Sequence, residues 1–360
     1  MGHDDGRRRV PEMLRAPGAV RARLHDEHIT MAHGAGGRSS QALIEGLLLP
    51  AIGNETLERL ADAGTLELGG AELAVTTDSF VVRPLRFPGG SIGELAVNGT
   101  VNDLAVSGAL PLALTLSLVL EEGLSAESLR AEAEAVGRAA ARAGVEVIAG
   151  DTKVVEHGRA DGMYICTTGI GAVDPRSDLS TAALTAGDRV LVSGPVGAHG
   201  MAIMLARGEF ELEAPIVSDT ATLWPAADAL LGAAGTDLHC MRDATRGGVA
   251  SALNELARAS DVGVLVRETD VPVEPAVAAA AELLGIDPLY VANEGRLVAF
   301  VAPGSSRAAL AALREVAGCE QACEIGEVLG EPSGMVLIDT GFGGQRVLDL
   351  LAGDPLPRIC

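Results

Sequence analysis

The chain has 360 residues, with 49 acidic groups against 27 basic ones, a net charge of −22, and only 2% aromatic residues. Nucleic-acid recognition draws on a basic face, often interleaved with stacking aromatics, so this composition argues against a DNA or RNA partner. A hydrophobic share of 48% excludes global disorder, and the length suits two domains of ~100–200 residues each.

Residues 1–27 are polar, arginine-rich and aperiodic, and read as a disordered extension without the apolar stretch of a signal peptide. Packed structure is expected from about His28. His33, Gly34, Ala35, Gly36 and Gly37 form a glycine loop, followed by Ser39 and Ser40 and by apolar residues at helical spacing, Leu43, Ile44, Leu47 and Leu48. Residues 73–77 read as a strand leading into Asp78. Residues 91–108 read as a helix, 112–120 as a strand, and 125–143 as a helix capped by Ser125 and closed by Gly144. A short buried strand, 145–149, is expected to run into the loop Gly150-Asp151-Thr152-Lys153, with a further strand over 163–171.

The character shifts near Asp174-Pro175. Strand and helix signals then alternate over 189–193, 199–207, 221–231, 247–259, 263–266, 275–284, 296–301, 305–316 and 334–338. The expected organisation is an N-terminal domain over 28–173, a C-terminal α/β domain over 174–350, and a mobile tail over 351–360. That tail holds two prolines and a glycine and carries Cys360.

Five scattered cysteines do not suggest a disulfide framework and point to a reducing cytoplasm. Cys319 and Cys323 are four apart and can share a helix face, but they lack the further ligands of a zinc site. The longest apolar run, 109–120, is too short to span a bilayer, so no membrane association is expected.

Four aspartates sit where chemistry would want them: Asp78 beyond a strand, Asp103 on a glycine-containing helix, Asp151 in the GDTK segment, and Asp243 in RDATRGG just before a helix. Each alone reads as a turn or cap residue. Together, beside glycine loops, they have the oxygen-rich character that Mg²⁺ with a nucleotide requires. The loop from His33 to Gly37 offers unhindered backbone N–H groups beside a helix start, a suitable anion cradle, although no Walker sequence follows. Asn98 and Asn102 share one helix face, with Gly99 between them to admit a ligand or to allow close packing. Lys153 is the only lysine of the chain; it stands beside Asp151 and Thr152 and can pair with phosphate or exchange protons. Glu294, in ANEGR, is an acid–base candidate or a surface turn residue. Cys360, in a flexible Pro-Arg-Ile-Cys segment, has the makings of a thiol on a swinging arm.

These segments, MAHGAGGR, TTDSFVV, FPGG, IGELAVNGTVNDLAVSGA, VIAGDTKVV, RDATRGGVASALNE, ANEGR and PRIC, carry a resemblance that covers nearly all of the chain from His28 to Cys360. The chain resembles the carbamoyl dehydratase family (HypE) of NiFe-hydrogenase maturation. That family sits within the ATP-binding superfamily of aminoimidazole ribonucleotide synthetase, selenophosphate synthetase and thiamine-phosphate kinase. The resemblance implies a two-domain α/β fold of the PurM-like type, with the N-terminal sheets of two subunits pairing into a barrel and ATP bound near that interface. It implies a homodimer that turns an S-carbamoyl group on Cys360 into a thiocyanate at the expense of ATP. The carbamoyl group would come from a HypF-type carbamoyltransferase, and the cyanide would pass to iron on a HypC–HypD-type scaffold. Asp78, Asp103, Asp151 and Asp243 would hold Mg-ATP, residues 33–37 would cover the phosphates, and Lys153 or Glu294 would remove protons. The alternatives are a superfamily kinase or synthetase acting on a free small molecule, and a non-catalytic scaffold. The absence of any cysteine before Cys166 argues against a selenophosphate synthetase.

Overall fold

A computed structural model describes residues 22–208, 214–351 and 358–360. The proposed extension over 1–27 lies outside the described residues except for 22–27, and the proposed tail lies outside them except for Leu351 and 358–360.

The first domain opens with the 3₁₀ turn Met31–Gly34 and the helices α1 (Gly37–Leu43) and α2 (Leu49–Ile52), joined by a π-helical turn, Ile44–Leu48. It continues through β1 (Gly64–Leu68), β2 (Ala71–Phe80), the short ribbon β3 (Arg86–Phe87) and β4 (Gly90–Ser91), α3 (Ile92–Val106), β5 (Ala109–Glu121), α4 (Ala126–Ala143), β6 (Glu146–Val155) and β7 (Met163–Val173). Its sheet runs β1-β2-β7-β5-β6, antiparallel except for the parallel β5–β6 pair.

The second domain contains β8 (Arg189–Val192), α5 (Ala198–Ala206), α6 (Trp224–Ala234), β9 (Leu238–Asp243), α7 (Gly248–Ala259), β10 (Gly263–Arg267), α8 (Pro275–Leu284), β11 (Leu297–Val301), α9 (Ser306–Arg314), β12 (Cys323–Leu329), β13 (Val336–Asp339) and β14 (Gln345–Val347). Its sheet order is β14-β13-β10-β12-β8-β11-β9, with β10–β13 the parallel pair.

Helix α3 explains how the domains meet. Ile92, Leu95, Ala96, Val97, Val101, Leu104 and Ala105 leave it apolar around most of its circumference and fully buried. A helix hydrophobic all round belongs between two layers, and α3 lies between the first sheet and α6 and β9 of the second domain. Its start is held by the buried Glu132 of α4, which accepts from the Gly93 N–H at 3.1 Å and from Arg86 Nε at 2.7 Å. A carboxylate at a helix N-terminus complements the macrodipole. Asn102 fastens the other side. Its Nδ2 donates to the carbonyls of Ala221 (3.0 Å) and Glu294 (3.2 Å), and its Oδ1 accepts from the Leu223 N–H (2.8 Å).

Most expected elements are present, but three expectations need correction. The strand expected to end before Gly150 continues as β6 to Val155, so Asp151, Thr152 and Lys153 lie within a strand and not in a loop after one. β-Branched residues on both sides of the glycine, Val147, Ile148, Thr152, Val154 and Val155, favour the extended backbone. Asp78 likewise lies inside β2, which runs on to Phe80. Cys319 follows α9 while Cys323 opens β12, so the two do not share a helix. None of the five cysteines is in a disulfide.

Among the described residues, no helix is long and apolar enough to cross a membrane. Among the described residues, the sheet of the first domain carries helices on one face only. On its uncovered face and its β6 edge, large apolar side chains stand in solvent, among them Leu68 at 64%, Ile148 at 60% and Val154 at 67% exposure.

Candidate active site

The side chains that converge come from both domains. Asp78 and Asp103 approach from β2 and α3, on the helix-covered face of the first sheet. Thr76, two residues before Asp78, donates from Oγ1 to Asp103 Oδ2 at 2.8 Å. Asp243 comes from the end of β9, where it pairs with Leu297 of β11. Asp62, just before β1, completes the group. Single carboxylate oxygens of Asp62, Asp103 and Asp243 lie within 4.8 Å of one another.

Burial and mutual repulsion raise the proton affinity throughout this cluster. Burial pushes Asp62 up to about 8 and Asp243 up to about 6 against the attraction of Arg242. Burial, then the charges of Asp78, Asp243 and Asp62, hold Asp103 well above the usual carboxylate range. Asp78 is raised by burial against the attraction of Arg246 and a hydrogen bond with Asp103. Carboxylates crowded in this way are held together at a cost that a cation would relieve. An all-oxygen, acidic, partly buried donor set is the kind that suits Mg²⁺.

Asp62 was not found by sequence reasoning. It sits in a short Ala-Asp-Ala-Gly turn with no motif around it. Arg242 holds it in place, with Nε 3.1 Å from Asp62 Oδ1 and a second arm 2.7 Å from Glu255. Arg242 and Arg246, both in the RDATRGG segment, are the cations of the site. Arg246 Nη1 donates to the Gly34 carbonyl at 3.3 Å. Its charge is favoured first by Cys360, then by Asp78, Glu294 and Asp103. The arginine therefore links the glycine loop, the acidic cluster and the C-terminal cysteine.

Glu294 is 2% exposed and held well above its ordinary range by burial, then by Asp243, Asp219 and Asp78. Its backbone N–H donates to Asp219 Oδ1 at 3.1 Å. It is not a surface turn residue: the burial favours its protonated form, which suits an acid–base group.

Ala35, Gly36 and Gly37 line a small groove with Gly247, Ser251, Tyr290 and Leu351. A Cβ on Gly37 would stand 2.6 Å from the Leu351 carbonyl oxygen, and its φ of +73° also calls for glycine. His33 is turned away: its Nδ1 lies 3.0 Å from the Thr30 N–H and its Nε2 3.3 Å from Asp26. Asn98 donates across the interface to Thr220 Oγ1 at 3.2 Å.

Asp151, Thr152 and Lys153 are not brought to this cluster within one chain. Strand register sets Ser79 opposite Cys166, Cys166 opposite Ser117, and Ser117 beside Asp151. Side chains alternate between faces, so Asp151 lies on the uncovered face, three strands (about 14 Å) from β2. Lys153 Nζ donates to Asp151 Oδ2 at 2.5 Å in the open, with side-chain exposures of 67% and 60%.

A two-domain α/β molecule with buried carboxylates gathered at the domain junction beside a glycine loop defines an ATP-binding class of the AIR synthase type. Residues 60–173 match the family described as AIR synthase related protein, N-terminal domain, and residues 185–339 its C-terminal domain counterpart. The chain belongs to the carbamoyl dehydratase HypE family within that class. It is 48% identical to carbamoyl dehydratase HypE of Bradyrhizobium diazoefficiens over 92% of this chain and 96% of the relative. It is 43% identical to the Escherichia coli K12 protein of that name, over 92% and 99%. Among solved structures, a HypE-HypF complex aligns with TM-score 0.82 at 42% identity, over 86% of this chain and 100% of the other. HypE in complex with ATP aligns with TM-score 0.78 at 43% identity, over 92% and 99%. Thiamine monophosphate kinase from Aquifex aeolicus, at 21% identity and TM-score 0.60 over 81% and 95%, shares the fold.

Proposed function

We propose that this enzyme uses ATP to dehydrate an S-carbamoyl group on its own Cys360 to a thiocyanate, the cyanide source for NiFe-hydrogenase iron. The observation that carries the reading is the position of Cys360: its backbone oxygen accepts from the Val81 N–H of the first domain at 3.0 Å, and its negative charge favours that of Arg246, as do Asp78, Glu294 and Asp103. The names of the curated relatives agree, and they leave a kinase acting on a free metabolite unfavoured.

An amide oxygen is a poor leaving group, and phosphorylation makes it a good one. The carbamoyl oxygen takes the terminal phosphoryl group of ATP, the C–O bond breaks as phosphate departs, and the nitrogen loses both protons to leave S–C≡N. The balance is one carbamoyl group and one ATP giving thiocyanate, ADP, phosphate and a proton. Mg²⁺, held by Asp62, Asp103 and Asp243 with Asp78 beside them, would neutralise phosphate charge. Arg246 holds negative charge near the cysteine, and Glu294 is the buried group on this chain placed to move a proton. The glycine loop over residues 33–37 would cover the phosphates, its Ala35 and Gly36 N–H groups donating to the Ala32 carbonyl and to Ser40 Oγ, with Asn98 and Asn102 fixing α3 behind it.

A homodimer is part of this reading. The uncovered, apolar-rimmed sheet face and the unpaired β6 edge are what a second copy would cover. Pairing there would carry Asp151, Thr152 and Lys153 toward the other subunit's site, where Lys153 would act on phosphate or on the nitrogen protons. A HypF-type carbamoyltransferase would load Cys360 and a HypC–HypD-type scaffold would receive the cyanide, in the cytoplasm. Mass spectrometry of the C-terminal peptide, after incubation with carbamoyltransferase, carbamoyl donor and ATP, tests the reaction. The expected result is a carbamoyl adduct that loses one water, abolished in Cys360→Ala while ATP binding persists. Full thiocyanate yield from Cys360→Ala would refute it.

A further inference from the structure

Residues 218–222 form neither helix nor strand and pass along the junction of the two domains, pinned at nearly every step. The Ser218 N–H donates to the Pro88 carbonyl at 2.8 Å, Thr220 Oγ1 accepts from Asn98 Nδ2 at 3.2 Å, and the Ala221 N–H donates to the Glu294 carbonyl at 3.3 Å. Asp219 stands in the middle of this strap, with its side chain 3% exposed. Its Oδ1 accepts from the Glu294 N–H at 3.1 Å. Its Oδ2 is buried without a hydrogen-bond partner among the described residues and lies 3.7 Å from Arg296 Nε.

A buried carboxylate oxygen without a donor carries a desolvation penalty, and such a group calls for a reason. Holding Arg296 is not a sufficient one, because that guanidinium already donates to the Pro195 carbonyl at 3.0 Å and to the Gly318 carbonyl at 2.8 Å. The hold on Glu294 is. Its N–H is taken by Asp219, and its carbonyl accepts from the Ala221 N–H and from Asn102 Nδ2 at 3.2 Å. Gly295 brings the strap and the ANEGR turn together: a Cβ there would stand 2.0 Å from the Asp219 carbonyl oxygen. With its N–H and C=O both fixed, Glu294 has only its side-chain torsions left to place its carboxyl.

We propose that Asp219 is a positioning residue for the reaction: its Oδ1 fixes the backbone of Glu294 and so sets where the Glu294 carboxyl stands beside the acidic cluster. A hydrogen bond to an ionised acceptor is roughly twice as strong as a neutral one, so aspartate holds this amide more firmly than asparagine would. The inference rests on the reading of Glu294 as the group that moves a proton. The Asp219 charge also adds to burial and to Asp243 in holding Glu294 above its ordinary range. An amide in its place therefore separates position from charge.

Two measurements on the full chain test this. The first, hydrogen–deuterium exchange of the Glu294 amide, needs neither ATP nor a carbamoyl group. Exchange is expected to be about tenfold faster in Asp219→Ala and within about threefold of wild type in Asp219→Asn. The second is the single-turnover rate of thiocyanate formation, at saturating ATP, on chain carbamoylated beforehand. That rate is expected to fall about tenfold in Asp219→Ala and to stay within about threefold of wild type in Asp219→Asn, with the half-saturating ATP concentration unchanged in both. In a Glu294→Gln background, adding Asp219→Ala is expected to slow the reaction by less than about twofold further, as for residues that act as a unit. Equal turnover in wild type and Asp219→Ala overturns the proposal. So does a full additional loss in the double variant, or an Asp219→Asn protein as slow as Asp219→Ala. If Asp219→Ala melts early, Asp219→Ser, whose hydroxyl is one bond short of the amide, is judged by the same outcomes. Carbamoylated wild type that forms no thiocyanate with ATP would refute the dehydratase reading. A Glu294 amide that exchanges equally fast in wild type and Asp219→Ala overturns the positioning role by itself.

Discussion

Asp62, Asp103 and Asp243 are acids that the fold holds above their solution proton affinity, and the sign of that shift makes a prediction. Without a cation, the folded state binds more protons than the unfolded chain between the ordinary carboxylate value of about 4 and the raised folded value. The stability these groups contribute is therefore fully present below about pH 4 and is lost progressively as pH rises to about 6, for Asp243, and to about 8, for Asp62. Thermal melts of the metal-free protein are expected to fall by a few degrees between pH 5.5 and 8.5, at about 2–4 °C per kcal/mol. Added Mg²⁺ should recover more of the loss at pH 8.5 than at pH 5.5. Asp62→Asn should flatten the pH trend and weaken the Mg²⁺ effect by at least about tenfold in concentration. A Mg²⁺ stabilisation independent of both pH and Asp62 would show that the ion binds elsewhere.

At the scale of elements, α3 carries the site because it is packed on all sides, and its glycine shows how closely. A Cβ at Gly99 would lie 2.8 Å from Phe80 Cζ and 3.8 Å from Glu294 Oε2. The Phe80 ring is buried at 4% exposure and cannot swing aside as a flexible chain end would. Gly99→Ala is expected to cost about 1–3 kcal/mol in denaturant unfolding and to lower ATP-dependent turnover by disturbing Glu294. The spacing of Asn98, Gly99 and Asn102 fits both a ligand face and tight packing, and both asparagines bond the second domain. Strand β6 teaches the converse. The GDTK segment looked like a loop because Gly and Asp usually end strands, yet pairing with β5 along nine positions keeps it extended.

At the scale of the whole molecule, the separation of Lys153 from the acidic cluster asks for a test that distinguishes one chain from two. Lys153→Ala and Cys360→Ala are each expected to be inactive as pure proteins while still binding nucleotide. If Lys153 serves the tail of the opposite subunit, mixing and re-equilibrating the two variants should regain about a quarter of wild-type thiocyanate formation, since half the dimers are mixed and each holds one complete site. No recovery would place Lys153 in its own chain's site or outside the reaction.

The sequence by itself determined the alternation of helices and strands, the two-domain α/β class, the glycine loop, the membership in an ATP-binding class and the singular Cys360. These are readable because periodicity, capping residues and glycine motifs act over a few residues. Helix α4, with Ser125 as cap and Gly144 in the left-handed C-terminal position, lies where those local signals put it. Only the tertiary structure decided that Asp62 joins Asp103 and Asp243, that Asp151 and Lys153 stand on the opposite sheet face, and that Ile359 is buried against His199. Each of these depends on which face a strand residue takes or on a contact across 40 to 180 positions of chain. Such contacts are settled by the burial of α3 between two sheets and by long-range packing of the cores, not by the residues next to each group.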